Sequence, residues 1–225
     1  MMEPPLTRFG VLRHAETRWN ASHRIQGLQD SPLTAAGVSQ ALRWGRHLED
    51  FRWDRMVASS AGRARRTAEL MNIRLQIPLV YDTRLREQDW GRWTGQRVTR
   101  IRQTEPRSLA AQESAGWLFC PPGGEARNRV WERSLCGLAR AHDRWPGQRI
   151  LVVTHEAVIK CLIYRICGRR FLPEEPRLLM TRGLHCLAYD GRKLAIEKIN
   201  VALAGVPDSA MKQRFPASLV NLDHT

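Results

Sequence analysis

The chain is short of lysine: of its 36 basic residues only four are lysine and 32 are arginine, and against 22 acidic residues they leave a net charge of +14. It has no C-x-x-C pair. Its five cysteines (Cys120, Cys136, Cys161, Cys167 and Cys186) are odd in number and scattered, which argues against a disulfide framework or a structural zinc site and fits reduced thiols. No apolar run approaches the ~20 residues of a membrane span. The opening MMEPPLTRFG has an acid and two prolines where a secretory leader carries basic residues and then an apolar stretch, so no leader is expected and a cytoplasmic location is. G-x-x-x-x-G-K-[ST], G-x-G-x-x-G and G-x-S-x-G are all absent, which removes the P-loop, dinucleotide-binding and serine-hydrolase readings.

What is present is an ordinary globular composition, 43% apolar and 26% charged over 225 residues, enough for one domain. The positive surplus attracts polyanions, but the arginines run from Arg8 to Arg214 without forming a Lys/Arg block. No specific nucleic-acid partner and no membrane partner are therefore expected. The eight tryptophans, several beside arginines (Arg18–Trp19, Arg43–Trp44, Arg52–Trp53, Arg92–Trp93), read as packing with local cation–π contacts rather than base-stacking platforms.

Three short apolar runs, 9–12 (FGVL), 56–58 (MVA) and 150–153 (ILVV), lack the alternation of a half-exposed strand and read as buried parallel strands. Each precedes a helical pattern. Thr34 is an N-cap for a helix with Val38, Ala41, Leu42, Gly45 and Leu48 on one face; RARRTAELM and AVIKCLIYRIC follow the other two runs. Strands alternating with helices predict an α/β fold, a three-layer α/β/α sandwich with a mostly parallel central sheet. Residues 94–126 read as an excursion beside the sheet, HCLAYDGRKLAIEKIN as a hairpin turning at Asp190–Gly191, and 205–225 as a patternless tail beyond a domain spanning 1–204.

Two histidines hold equivalent places. His14 ends the first predicted strand (VLRH) and His155 ends the third (VVTH), where open α/β sheets bind ligands beyond the carboxyl ends of strands. Metal ligation fails on spacing, since HEAVI has Ile159 where H-E-x-x-H needs its second histidine. Histidines with arginines remain.

The blocks LRHAETRWN, RIQGLQDSPLTAAG, VASSAGRARRTAEL, LREQDWGRWTG, PPGGE and VVTHEAVIK, in that order, resemble the histidine phosphatase superfamily, the phosphoglycerate-mutase-like proteins, over about residues 8–168. The resemblance implies that His14 is the nucleophile that becomes phosphorylated, that Arg13, Arg63 and His155 surround the phosphoryl group, and that Asn20 contacts it. It makes Glu87 the proton donor to the leaving group; Asp89, two residues on, and Glu156, beside the second histidine, are alternative acids by position. Arg24, Gln26 and Gly27 fall in the loop lining the pocket mouth. Phosphoryl transfer asks for the same equipment: fixed positive donors around three equatorial oxygens, a neutral imidazole and a protonated carboxylic acid. No metal or cofactor is implied. The chain departs from the family at Ala15, Glu156 and Ala157, where glycines are usual, and at Ser60. After the acid it has Gln88–Asp89–Trp90–Gly91 rather than the Arg-His-Tyr-Gly of the mutase branch.

The expectation is a metal-independent phosphomonoesterase acting on a small phosphorylated metabolite. A mutase of the same superfamily and a basic binding protein with a non-catalytic pocket are the alternatives. The oligomeric state is left open, with a homodimer as one candidate.

Overall fold

A computed structural model describes residues 5–180 and 182–203. Along the chain come β1 (Thr7–Arg13), α1 (Arg18–Ala21), α2 (Ala35–Leu48), β2 (Arg55–Ser59), α3 (Gly62–Leu75), β3 (Leu79–Asp82), α4 (Val98–Thr104), α5 (Pro106–Ser114), α6 (Arg127–Arg144), β4 (Arg149–Thr154), α7 (Glu156–Ile166), β5 (Gly183–Tyr189) and β6 (Leu194–Ala202). The strands form one sheet in the order β3-β2-β4-β1-β5-β6, parallel from β3 through β1 and antiparallel at β5 and β6.

Alternation along fully buried strands builds the two outer layers. Ile150 and Val152 pack with Phe9, Val11 and the inner faces of α6 and α7, while Leu151 and Val153 face Leu12, Ala41, Trp44 and Met71 of the α2–α3 side. Burying each such aliphatic side chain contributes about 1.5–3 kcal/mol, so a strand buried on both faces anchors both layers. The layered reading of the sequence is therefore correct, with an antiparallel edge added to a parallel core.

Details differ. Thr34 does cap α2, its hydroxyl accepting from Gly37 N at 2.9 Å. The hairpin turns where expected, and Asp190 accepts from the backbone of Arg192 and Lys193 there. The excursion at 94–126 is helical rather than irregular: α4 and α5 fold over a small core of their own, Trp93, Ile101, Leu109 and Phe119. The 18-residue α6 escaped the sequence reading because half of its buried face is Ser134, Gly137 and His142, which carry no apolar period. Cation–π contacts exist, but mostly between residues distant in sequence, as in Arg55 over Trp145 and Arg149 over Trp53. Among the sequence-adjacent pairs expected to make them, Trp44 and Trp93 are buried instead. The tail at 205–225 lies outside the described residues.

Parallel pairing of β1 with β4 aligns Arg13 with Thr154, so the residues that follow, His14 and His155, leave the sheet side by side. From β1 the chain continues to α2 on one face, and from β4 to α7 on the other. The two histidines thus occupy the point where adjacent connections part, the usual crevice of such sheets.

Candidate active site

His14 is 4% exposed, and its backbone N–H donates to Thr154 O at 2.9 Å, extending the β1–β4 ladder one residue past its end. Its Nδ1 lies 2.8 Å from Ala15 O and its Nε2 3.3 Å from Arg63 Nε. A carbonyl only accepts and a guanidinium only donates, so Nδ1 bears the proton and Nε2 keeps its lone pair. Burial first, then the charges of Arg13 and Arg63, hold this imidazole well below the ordinary histidine range. At neutral pH His14 is an uncharged ring with an oriented nucleophilic nitrogen.

His155 packs against it, ring centroids 5.2 Å apart. Its Nε2 is 2.7 Å from Ser59 Oγ, which already accepts from Ala61 N. A hydroxyl carries one proton and two lone pairs, so this contact suits either imidazole tautomer; Nδ1 is a buried atom with no protein partner. Burial, then Arg63, His14 and Arg13, keep His155 neutral as well.

Arg63, 2% exposed, is held more tightly than its sequence position reveals. Nη1 donates to Gln29 O at 2.9 Å and Asp30 Oδ1 at 2.8 Å, and Nη2 donates to Gly27 O at 2.9 Å. Its fork is spent largely on the 27–30 loop, and it is the Nε edge that faces His14. Asp30 also accepts from the backbone N–H of Gly62 and Arg63, capping α3 from another segment where Ala61 offers no side chain. Asp30 is thus a site-building residue that the sequence did not single out.

Arg13 donates from Nη1 to Glu156 Oε2 at 2.6 Å, and its Nε is a buried donor without a protein partner. Glu156 also meets Lys160 Nζ at 2.7 Å. Burial alone would raise the Glu156 pKa, but Arg13, Lys160 and Arg177 outweigh it and hold the carboxyl at about 2. The ion pairs with Arg13 and Lys160 favour the carboxylate form, which argues against Glu156 as the alternative acid. Ala15 is not among the residues with positive φ, and its N–H donates to Thr67 Oγ1 at 3.0 Å, so replacing the family's glycine strains nothing there.

Glu87 is 9% exposed, and burial raises its pKa against the opposing pull of Arg63, the Gln88 N–H and Arg13. Its Oε1 accepts from Gln88 N at 2.9 Å, and among the described residues it makes no ion pair. The loop that carries it is laced to 121–125: Gln88 Nε2 donates to Glu125 O at 2.7 Å, and Glu125 N to Asp89 O at 2.9 Å. A Cβ on Gly91, which has φ +47°, would run into Pro122 O. Arg133 of α6, also unrecognised in the sequence, ties the lacing together. It grips Glu125 at 2.7 and 2.8 Å and the carbonyls of Arg84, Arg86 and Glu87 at 2.6, 2.7 and 3.1 Å. Asp89 accepts from Gly91 N and shapes the turn; it does not line the cleft.

The remaining predicted residues line the same cleft of about 1140 Å³ as His14, Arg63 and Glu87. Asn20 spends its amide oxygen on Thr17 in a capping box at the start of α1, leaving Nδ2 as its cleft-facing donor. Gln26 donates to Thr17 Oγ1 at 2.9 Å and leaves Oε1 buried without a protein partner. Gly27 adopts φ +53° beside Thr94 and Trp90, where a side chain has no room. Arg24 stays exposed at the rim and donates to Gly95 O at 3.2 Å. Among the described residues no group of three or more His, Cys, Asp or Glu is placed to hold a metal ion, and no helix is long and apolar enough to cross a membrane.

The family model for the histidine phosphatase superfamily (branch 1) matches residues 10–202. The uncharacterized phosphatase PhoE of Bacillus subtilis (strain 168) is 32% identical over 184 residues, 81% of this chain and 87% of that protein. The probable phosphoglycerate mutase GpmB of Salmonella choleraesuis (strain SC-B67) is 34% identical over 161 residues, 70% of this chain and 74% of its own. The solved structure of Bacillus stearothermophilus YhfR superposes with a TM-score of 0.78 at 33% identity, covering 87% of this chain and 98% of that one.

Proposed function

Because the chain belongs to the histidine phosphatase superfamily, we propose that it is a metal-independent, cytoplasmic phosphomonoesterase that hydrolyses a small phosphorylated metabolite through a phosphohistidine at His14. The observation that carries this reading is the His14 tautomer, with Nδ1–H on Ala15 O and the Nε2 lone pair turned to Arg63.

In the first half-reaction Nε2 attacks phosphorus and the bond from phosphorus to the ester oxygen breaks. The electron pair leaves with that oxygen, which takes the Glu87 proton. Water then attacks the phosphohistidine while the Glu87 carboxylate removes its proton. The P–N pair returns to His14 and inorganic phosphate departs. Arg13 Nε–H and, with its ring proton on Nδ1, His155 supply the hydrogen bonds that equatorial oxygens require, since both nitrogens are buried without protein partners. Arg63 contributes charge and its Nε edge.

The test is hydrolysis of p-nitrophenyl phosphate in the presence of EDTA. Turnover should be unaffected by the chelator and lost in His14→Ala, and rapid alkaline quenching should trap an alkali-stable, acid-labile phosphoryl label on the unmodified protein only. Chelator-sensitive turnover, or turnover that survives His14→Ala, overturns the reading. Phosphoryl transfer between hydroxyls is a second reading, favoured by the likeness to GpmB.

A further inference from the structure

One cation in the cleft takes no part in the phosphoryl transfer proposed above. Arg127, the first residue of α6, lies between two aromatic rings, its guanidinium carbon 4.0 Å from the centroid of Phe119 and 4.0 Å from that of Phe171. Nη1 donates to Gly116 O at 3.0 Å and Phe171 O at 3.2 Å. That leaves the Nε–H and both Nη2–H groups, the edge of the fork that takes a carboxylate or phosphate bidentately. Phe171 holds φ +67°, a costly conformation for a bulky residue, and uses both its carbonyl and its ring on Arg127.

The charge is not neutralised. Among the described residues no carboxylate lies within 4.0 Å of Arg127, whereas Arg13 and Lys160 share Glu156 and Arg182 meets Glu16. Burial draws the guanidinium down to about 10, which still leaves it charged at neutral pH. Arg24, Arg97 and Arg177 also border the cleft, but all three are exposed.

Position decides what such a cation reads. Glu125, two residues before Arg127, accepts from Gln88, which follows Glu87. Glu87 and Arg127 line the same cleft on segments joined by this bond, and in the proposed reaction the oxygen that Glu87 protonates is the leaving group's. We infer that Arg127 is a recognition site for a second anionic group, carboxylate or phosphate, on the leaving-group portion of the substrate. The inference rests on the phosphomonoesterase reading for its direction, but not for its test. Its rival is a staple that merely joins Gly116 to Phe171.

Dissociation constants are measured by calorimetry in the His14→Ala background, where turnover does not intervene, with Arg127 present or replaced. Two matched pairs serve as probes, 3-phosphoglycerate against glycerol 3-phosphate and fructose 1,6-bisphosphate against fructose 6-phosphate. With Arg127 present, the doubly anionic member of at least one pair should bind about tenfold tighter or more, equivalent to about 1.4 kcal/mol. Arg127→Met, which keeps an unbranched stem between the rings, should shrink that ratio to about twofold, and Arg127→Lys should retain part of it. Selectivity confined to the first pair marks a carboxylate, and to the second a phosphate. Equal affinities within both pairs when Arg127 is present overturn the inference, even where Arg127→Met fails to fold. So does an Arg127→Met protein that weakens both members alike, the signature of a staple. Loss of p-nitrophenyl phosphate hydrolysis as a property of the unmodified protein would remove the catalytic reading and leave this comparison standing.

Discussion

Arg13 and Glu156 are joined by a 2.6 Å hydrogen bond that ties the end of β1 to the first turn of α7 across the two histidines. The family's usual glycine at the second position would leave Arg13 to the phosphoryl group alone. In this chain the Arg13 charge is shared with a carboxylate whose pKa Arg13 and Lys160 hold at about 2.

Glu156→Gln should therefore free Arg13 and tighten inhibition by inorganic phosphate by about threefold to tenfold, the range of a partly exposed ion pair. Because Glu156 titrates near 2, the effect should be constant between pH 5 and 8. Product-inhibition constants for the two proteins across that range check it. Weaker phosphate inhibition in the variant would show that Glu156 positions Arg13 rather than competing for it.

Glu87 supplies a pH-dependent prediction. Burial raises its pKa while burial, Arg13 and Arg63 lower that of His14, and both shifts favour a protonated Glu87 beside an unprotonated His14. Hydrolysis of alkyl phosphates should fall on the alkaline side as Glu87 ionises and on the acid side as His14 protonates. Glu87→Gln should slow alkyl phosphates by ~10²–10⁴-fold, remove the alkaline limb, and slow p-nitrophenyl phosphate far less, because that phenolate leaves unaided. Equal losses on both substrates would take the acid role from Glu87.

Sequence placed the two strand-end histidines together and missed the residues that support them. His14 and His155 were legible because strand ends fix them locally, each two residues beyond an apolar run. Asp30 and Arg133 were not, because each acts on backbone brought near by tertiary packing: Asp30 on α3 across 32 residues, and Arg133 on the Glu87 loop across 46. The two strand-end histidines predicted a crevice, but which hydrogen bonds Arg63 would spend on the 27–30 loop depended on a turn that no periodicity records. The short β3 followed Pro78 with only four residues of pattern, too few to distinguish from a loop.

Asp30 should behave as a positioning residue. Asp30→Ala removes the cap of α3 and one anchor of Arg63, with a stability loss of about 1 kcal/mol from the cap and a larger proportional loss in kcat/KM. Asp30→Asn, which still accepts at the helix terminus, should recover the melting temperature more fully than the activity. Parallel recovery of both would mean that Asp30 only stabilises the fold.

Arg133 should prove irreplaceable by lysine. A single ammonium cannot grip Glu125 bidentately and reach three carbonyls, so Arg133→Lys should resemble Arg133→Ala. With charged hydrogen bonds worth about 1.5–3 kcal/mol each, the melting temperature should drop on the order of 10 °C. The ratio of alkyl to aryl phosphate hydrolysis should fall as well, because Glu87 loses its support. A destabilised protein with that ratio unchanged would confine Arg133 to stability.

The choice between hydrolysis and isomerisation turns on access of water to the phosphohistidine. A mutase must shield it until a second hydroxyl arrives. Here the cleft of about 1140 Å³ reaches from His14 to exposed rim residues such as Arg24. Two positions after Glu87 are bonded within the loop: Gln88 Nε2 donates to Glu125 O, and Asp89 Oδ1 accepts from Gly91 N. Water should therefore meet the intermediate as soon as the leaving group departs. Incubated with 3-phosphoglycerate, the protein should release free phosphate without a 2,3-bisphosphate primer and form little of the 2-isomer. Following both products with and without the bisphosphate decides it, and primer-dependent isomer appearing faster than phosphate would assign the chain to transfer between hydroxyls.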